Sequence, residues 1–400
     1  MRYSYTVFGA GRQGVALAYD LALRGEARRV VLADQDAAVA QRASERLRSL
    51  LPKSKCEFAP MSCDVAPMSR DVALGPSVRE ALRGSKVAIS AAPYRFNALL
   101  AEASIDSGVS FCDLGGNTDI VRRELTLDAR ARAKGVSLVP DCGLAPGLGN
   151  HLAAHGVATL EHARSVRIFC GGIPERPVGP LAYKLLFSFE GLINEYSGVG
   201  EYLRGGQRVD VPALSEVEEL IFPEPIGRLE AAVTSGGTST CPTSWRGRLE
   251  RYEYKTLRWP GHWAILRALF GLGAFEPELL LRDGRKIEPR ATLRALFEEC
   301  LAFPEVDDLV LLRVIVDGEQ RGSPRRLTYD LRDRRDPLTG FSAMERGTAF
   351  PAALVAHLQA RGEVPPGAVP LETSVPPRLY FEELALHDVK IDFQDSLATS

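Results

Sequence analysis

The sequence predicts an α/β protein in two parts, a parallel sheet first and an α+β region second, closed by a C-terminal helix and tail. Three observations predict it. Over the first 140 residues short apolar runs alternate with segments of helical period, the pattern of a parallel sheet covered on both faces. Near residue 150 the pattern changes to strands with one polar face. Helical spacing then resumes at 347 in FPAALVAHLQARG, ahead of a Pro-rich run at 364–377. The expected boundaries are 1–145, 146–342 and 343–400.

In the first part, strands are expected at 3–9, 29–33, 87–91, 110–114 and 137–140, with a weaker one at 57–63. Helices are expected at 13–24, where Leu17 and Leu21 share a face, and at 37–51 and 97–107. In the second part, strands are expected at 165–170, 228–234, 251–256, 309–316 and 326–331, and helices at 263–270 and 289–301. No internal repeat or low-complexity tract interrupts them.

Four hundred residues suit two domains of ordinary size. A net charge of −2, with no long run of one sign, gives no electrostatic reason to expect nucleic acid or an anionic membrane as partner. No apolar run approaches a bilayer span and no signal-peptide pattern stands at the start. The seven cysteines are scattered without a C-x-x-C pair, so neither a disulfide framework nor a metal site is expected. A reduced, cytoplasmic setting is the expectation.

The stretch VFGAGRQG, residues 7–14, carries the first functional signal. G-x-G-x-x-G alone is weak, but here it follows a strand and opens a helix. Gly9 suits the tight turn, Gly11 lets a pyrophosphate approach, and Gly14 lets helix and strand pack closely. With Arg12 and Gln13 these residues form a dinucleotide loop, whose helix offers free N–H groups to phosphate. Asp34, 20 residues beyond Gly14, is placed to accept both ribose hydroxyls and to repel a 2′-phosphate, which favours NAD. Arg28, Arg29 and Arg42 nearby are the residues that would instead hold that phosphate. Asp64, Ala91, Ala92 and Pro93, after later strands, complete the expected cofactor contacts.

Ligands of open parallel sheets sit beyond the carboxyl ends of the strands. Three such ends, SAAPYRFN (90–97), FCDLGGNTD (111–119) and PDCGLAPGLGNH (140–151), set small residues beside polar ones. Asp113 and Asp141 end consecutive strands, so their carboxylates can share one site; a cap or turn role is the other reading of each. Tyr94 can close over the nicotinamide edge or simply pack. Cys142 has no basic neighbour within two residues and is read as filler.

PDCGLAPG, GGIPERP, LLFSFEGLINEY (185–196), VTSGGTST (233–240) and YEYKTLRWPGH (252–262) are similar to the saccharopine dehydrogenase-like family, most narrowly its lysine 6-dehydrogenase branch. The resemblance runs from about residue 5 to about residue 360. It implies a Rossmann-type domain, an α+β substrate and dimerisation domain, a C-terminal helix returning to the Rossmann domain, and a homodimer or dimer of dimers. It also implies NAD-dependent oxidation of the ε-carbon of L-lysine, with release of ammonia and of allysine, which cyclises. The segments 241–250 and beyond 362 match weakly.

The residue types suit that chemistry. An ε-ammonium, of pKa about 10.4, must lose a proton before hydride can leave its carbon. Asp113 or Asp141 is the expected base, each raising the other's pKa. Arg258 offers two parallel donors to the α-carboxylate. His262 is a substrate donor or a structural histidine, and Lys184 a pocket or a surface lysine. Thr238, within TSGGTST, lies in either an anion nest or a plain turn. The rival enzymatic readings are oxidation of saccharopine and reduction of a carboxyalkyl polyamine imine. A second cationic patch would mark the saccharopine reading. A non-catalytic NAD sensor is the rival from another class, marked by loss of the pocket's ionisable groups.

Overall fold

The computed structural model describes residues 2–65 and 75–397. The first domain runs β1 (Tyr3–Phe8), α1 (Arg12–Leu23), β2 (Ala27–Asp34), α2 (Ala37–Leu50), β3 (Glu57–Ser62), α3 (Pro76–Leu82) and β4 (Val87–Ser90). It continues with α4 (Asn97–Asp106), β5 (Ser110–Asp113), α5 (Thr118–Leu125), α6 (Asp128–Lys134) and β6 (Ser137–Val139). Every strand pair is parallel, and the order is β3-β2-β1-β4-β5-β6. The expected strands and helices fall within one or two residues of these elements.

The strand order reverses between β1 and β4, which opens a crevice at their carboxyl ends. Gly9 lies there with φ +91°. A Cβ on it would come within 2.8 Å of the Ala91 carbonyl, and one on Gly14 within 1.9 Å of the Gly9 oxygen. These two glycines are therefore demanded by packing. A Cβ on Gly11 would meet nothing within 4 Å.

The second domain begins with α7 (Leu148–Thr159), β7 (His162–Pro174), α8 (Phe189–Tyr196), β8 (Val199–Arg204), β9 (Gln207–Pro212), β10 (Glu218–Phe222) and β11 (Gly227–Val233). After α9 (Cys241–Ser244), β12 (Arg251–Arg258) and α10 (His262–Gly271) come the short hairpin β13 (Leu279–Leu280) and β14 (Lys286–Ile287), α11 (Pro289–Cys300), and the long hairpin β15 (Asp308–Gln320) and β16 (Ser323–Arg334). β7 and β12 pair in parallel within an otherwise antiparallel sheet. Two hairpins turn on two residues of positive φ: Gly205 and Gly206 between β8 and β9, and Arg321 and Gly322 between β15 and β16.

The C-terminal helix α12 (Ala343–Arg361) starts four residues before the periodicity suggests. Ser342 and Glu345 close a capping box over its first turn, which fixes that start. It packs along α1, reaches β4 and β5, and touches β15 and β16 of the other sheet. A single apolar cluster runs from α1 through α12 and α7 into the second sheet.

The Pro-rich tail is ordered structure. β17 (Gly367–Ala368) pairs in parallel with β6 and adds a seventh strand to the first sheet. α13 (Leu371–Ser374) and α14 (Pro377–Leu384) lie on α7, and β18 (Asp392–Leu397) pairs with β16 at the far edge of the second sheet. Among the described residues no helix is long and apolar enough to cross a membrane.

Candidate active site

The dinucleotide edge is built by β1, α1 and β2. No side chain caps the first turn of α1, so its leading N–H groups are left for an anion. Asp34 Oδ2 accepts the Ala10 N–H at 2.9 Å, which fixes the carboxylate beside the glycine loop. Arg28 and Arg29 sit at the opposite end of β2, where Arg28 bonds Ser4 Oγ at 2.9 Å and Arg29 pairs with Glu57 at 3.4 Å. Neither can serve a phosphate near Asp34. Arg42 is exposed on α2, and Asp64 is exposed just past β3. The side chains of Arg12 and Gln13 turn away from the loop: Arg12 Nε donates to Glu345 Oε1 at 2.6 Å and Gln13 Nε2 to the Met344 carbonyl at 3.1 Å. They tie the loop to α12. The open face at Gly11, the uncapped helix and Asp34 fit a nicotinamide dinucleotide; the Ala91–Ala92 backbone packs against Gly9 there, and Pro93 is exposed.

Beyond β4, β5 and β6 lies a group of buried acids. Asp113 is fully buried and its Oδ1 accepts the N–H groups of Gly115 (2.6 Å) and Asp141 (3.2 Å). Its other oxygen faces Glu124, an equally buried residue of α5 whose acid is pushed well up, first by burial and then by the Asp113 charge. Neither that oxygen nor either oxygen of Glu124 has a hydrogen-bond partner. Asp113 itself is raised to about 6, chiefly by burial. It organises the loop.

Asp141 is the freer carboxyl. It is held at φ +62°, its Oδ2 accepts the Ser239 hydroxyl at 2.5 Å, and its Oδ1 has no hydrogen-bond partner. Burial first, then the neighbouring Asp113 charge, raises it to about 8. Gly115 makes room for it, since a Cβ there would come within 2.2 Å of Oδ1. Tyr94, half-buried on the β4 loop, rests against Gly116, where a Cβ would meet its ring at 3.4 Å. Glu372, brought in by α13, accepts from Thr240 Oγ1 at 2.8 Å and adds to the negative field on Asp141.

The second domain meets this loop through α8. Asn194 Nδ2 donates to the Gly116 carbonyl at 2.6 Å, and the next two residues reach Arg258. Arg258 is 2% exposed, with Nε bound to Tyr196 Oη (2.7 Å) and Nη1 to the Leu257 carbonyl (2.9 Å). Tyr196 Oη lies 3.0 Å from His262 Nε2, and His262 Nδ1 lies 2.9 Å from the Leu181 carbonyl. A carbonyl only accepts, so Nδ1 carries the proton and Tyr196 donates to Nε2. Burial and the Arg258 charge hold His262 down to about 3, so the ring is neutral.

This corrects two expectations. His262 has both nitrogens satisfied by protein and is not a substrate donor. Arg258 is not a free two-pronged fork either, because Nε and one Nη1 proton are taken and Glu195 stands 3.6 Å from Nη2. Two further residues are also committed elsewhere. Lys184 Nζ donates to the Val306 carbonyl at 2.7 Å, and Thr238 Oγ1 to the Glu201 carbonyl at 2.8 Å. TSGGTST is thus a turn, held from below by Asn150, which donates to the carbonyls of Gly237 and Thr238 at 3.3 and 3.2 Å.

A profile described as the saccharopine dehydrogenase NADP binding domain matches residues 6–139, and one described as the saccharopine dehydrogenase C-terminal domain matches residues 143–389. The chain belongs to the saccharopine dehydrogenase family. A solved structure, apo saccharopine dehydrogenase (L-Glu forming) from Saccharomyces cerevisiae, shares the fold at a TM-score of 0.76 and 18% identity, covering 99% of this chain and 100% of that one. The mitochondrial α-aminoadipic semialdehyde synthases of Rattus norvegicus and Mus musculus are 28% and 27% identical over 143 and 140 residues. That is 34% of this chain, and the match spans about 15% of the length of those relatives.

Within this saccharopine dehydrogenase fold three acids missed by sequence reasoning stand beside residues it found: Glu124 beside Asp113, Glu372 near Asp141, and Glu195 beside Arg258. Ser239 and Asn150 were missed as well. Ser239 stands at φ +51° next to a glycine pair, a spacing that marked a turn but not its contact with Asp141. Among the described residues no group of His, Cys, Asp and Glu is arranged to hold a metal.

Proposed function

We propose that this protein is an NAD-dependent dehydrogenase that oxidises the ε-carbon of L-lysine, releasing ammonia and allysine. The observation that carries the reading is Asp141, a buried carboxyl with one unpartnered oxygen and a pKa near 8, at the nicotinamide end of the sheet. NAD over NADP is supported by Asp34 beside the glycine loop and by Arg28 and Arg29 at the opposite end of β2. Bound NAD supplies the hydride acceptor.

The chain's own residues handle the proton and the pose. An acid near 8 lies much closer to an amine's pKa than an ordinary carboxyl, so its ionised form, which grows as pH rises toward 8, is the stronger base for the ammonium proton. The Ser239 hydroxyl fixes one oxygen and leaves Oδ1, on the Gly115 side, to act. Loss of one proton from the ammonium and of hydride from the ε-carbon leaves an iminium on the substrate. Water adds to that carbon, a water proton is relayed through Asp141 to the nitrogen, and the C–N bond breaks to release ammonia and leave the aldehyde. Arg258 draws in the α-carboxylate, and Tyr94 covers the reacting edge.

Lysine is favoured over saccharopine because Arg122, a further cation near the site beyond Arg258, is neutralised: in a cleft of about 320 Å³ beside α8 it binds both Asp119 and Glu201. One observation keeps the second reading: Arg95, exposed beside Tyr94 with its guanidinium over the Phe96 ring, is a cation able to hold a second carboxylate end. NADH and ammonia formation with L-lysine, L-ornithine and saccharopine tests the choice. Equal NADH and ammonia from lysine is the expected result. NADH with glutamate from saccharopine alone, lost in Arg95→Ala, overturns it.

A further inference from the structure

We propose that Glu195 and Arg258 together form a receptor for the zwitterionic head of an α-amino acid, with Glu195 taking the α-ammonium and Arg258 the α-carboxylate. The inference rests on the amine dehydrogenase reading and deepens it, because it makes a free α-amino group a requirement of the site.

The pair is fixed but not closed. Arg258 is immobilised by Tyr196 Oη and the Leu257 carbonyl and is enclosed by the rings of Tyr183, Tyr196 and Trp263, whose centroids lie 5.0, 5.5 and 5.7 Å away. Glu195 is immobilised at one oxygen only, where Thr256 Oγ1 approaches Oε1 to 2.7 Å. Thr234 Oγ1 backs that hydroxyl at 2.7 Å, and Tyr254 Oη stands 3.2 Å from it. The facing atoms, Glu195 Oε2 and Arg258 Nη2, stop 3.6 Å apart. A carboxylate and a guanidinium locking a fold close to about 2.7–2.9 Å, and often in parallel pairs. Here each keeps hydrogen-bonding capacity on its facing side.

The pair is open on the Glu195 side. The Glu195 side chain is 20% exposed while Arg258 is 2% exposed, so a ligand approaches over the carboxylate. Asn194, one residue earlier, bonds Gly116, the residue against which Tyr94 rests. Through Thr256 and Tyr254 the pair also adjoins Gly237, whose turn delivers Ser239 to Asp141. An amino-acid head laid across the pair sets ammonium on Oε2 and carboxylate on Nη2. Four alternating charges then close into a ring, which neither a diamine nor an ω-amino acid can complete. Arg258 without Glu195 would accept any carboxylate, so discrimination lies with Glu195.

Titration calorimetry on the NAD-saturated protein tests this, with L-lysine, L-norleucine, 6-aminohexanoate (no α-amine) and 1,5-diaminopentane (no carboxylate). Lysine and norleucine are expected to bind, and loss of either head group is expected to weaken binding about 10- to 100-fold, as for one charge-assisted hydrogen bond. Glu195→Gln is expected to weaken lysine while leaving 6-aminohexanoate unchanged, with thermal unfolding and NAD affinity as controls for folding. Should that variant fail to fold, the wild-type series decides. Equal binding of lysine and 6-aminohexanoate, or no binding by either α-amino acid, overturns the inference. Lysine oxidised with no preference over 6-aminohexanoate would end the head-group receptor but keep the dehydrogenase. Lysine and norleucine bound with no NADH formed would do the reverse.

Discussion

At Asp141 three local facts converge on one chemical property. The αL backbone turns the side chain under Gly115, the Ser239 hydroxyl engages one oxygen, and burial beside Asp113 raises the acid to about 8. An acid whose pKa is raised on folding holds its proton in the folded state where the unfolded chain has lost it. From about pH 4 to about 8 the folded form therefore binds more protons, and stability falls as pH rises through that window. Asp141→Asn is expected to flatten this decline in Tm against pH and to lower kcat by about 10²- to 10⁴-fold, with NAD affinity unchanged. Tm scans, kinetics and cofactor titration check the three parts. His151 and His262 act in the opposite sense. Both are held to about 3 by burial, so the unfolded chain binds the extra protons below about pH 6.5, and acid destabilises the fold there. Hydrogen–deuterium exchange at pH 5 against pH 7 is expected to show earlier opening of α7 and α10, which carry these rings.

The elements that position the site differ in how far the sequence discloses them. β1, α1 and β2 were legible because local pattern and function coincide: the glycines serve turn, packing and ligand at once. The β8–β9 hairpin carried a Gly-Gly turn signal at 205–206, yet its strands are short and mixed in pattern, and it was missed. β17 is two residues long, and no periodicity exists over two residues; it is a strand only because β6 offers an open edge. Buried acids are hidden for another reason. Glu124, Glu195 and Glu372 are residue types that normally face water, and only the fold brings each against a partner. For Arg258 and His262 the sequence showed chemistry and concealed commitment, since Tyr196 and Leu181 lie about 60 to 80 residues away along the chain. The turn at 235–240 links these scales. A Cβ on Gly237 would come within 2.2 Å of the Tyr254 ring, so Gly237→Ala is expected to cost about 1–3 kcal/mol in denaturant unfolding. It is also expected to lower kcat by moving Ser239 off Asp141.

Across the whole molecule, the site exists because the chain crosses between its two sheets repeatedly. α12 leaves the second sheet, lies along α1 and anchors the dinucleotide loop through Glu345 and Met344. The tail then adds β17 to one sheet and β18 to the other, delivering Glu372 between them. This interlacing holds the glycine loop, the raised carboxyl of Asp141 and the Glu195–Arg258 pair in one framework, and the proposed function assigns the hydride to the ε-carbon. L-lysine deuterated at Cε, incubated with NAD and the protein, tests that assignment most directly when the reduced cofactor is read by mass spectrometry. The account predicts deuterium in the cofactor from Cε-labelled lysine and none from Cα-labelled lysine. Deuterium arriving from Cα, or no transfer from Cε while NADH still forms, would contradict it.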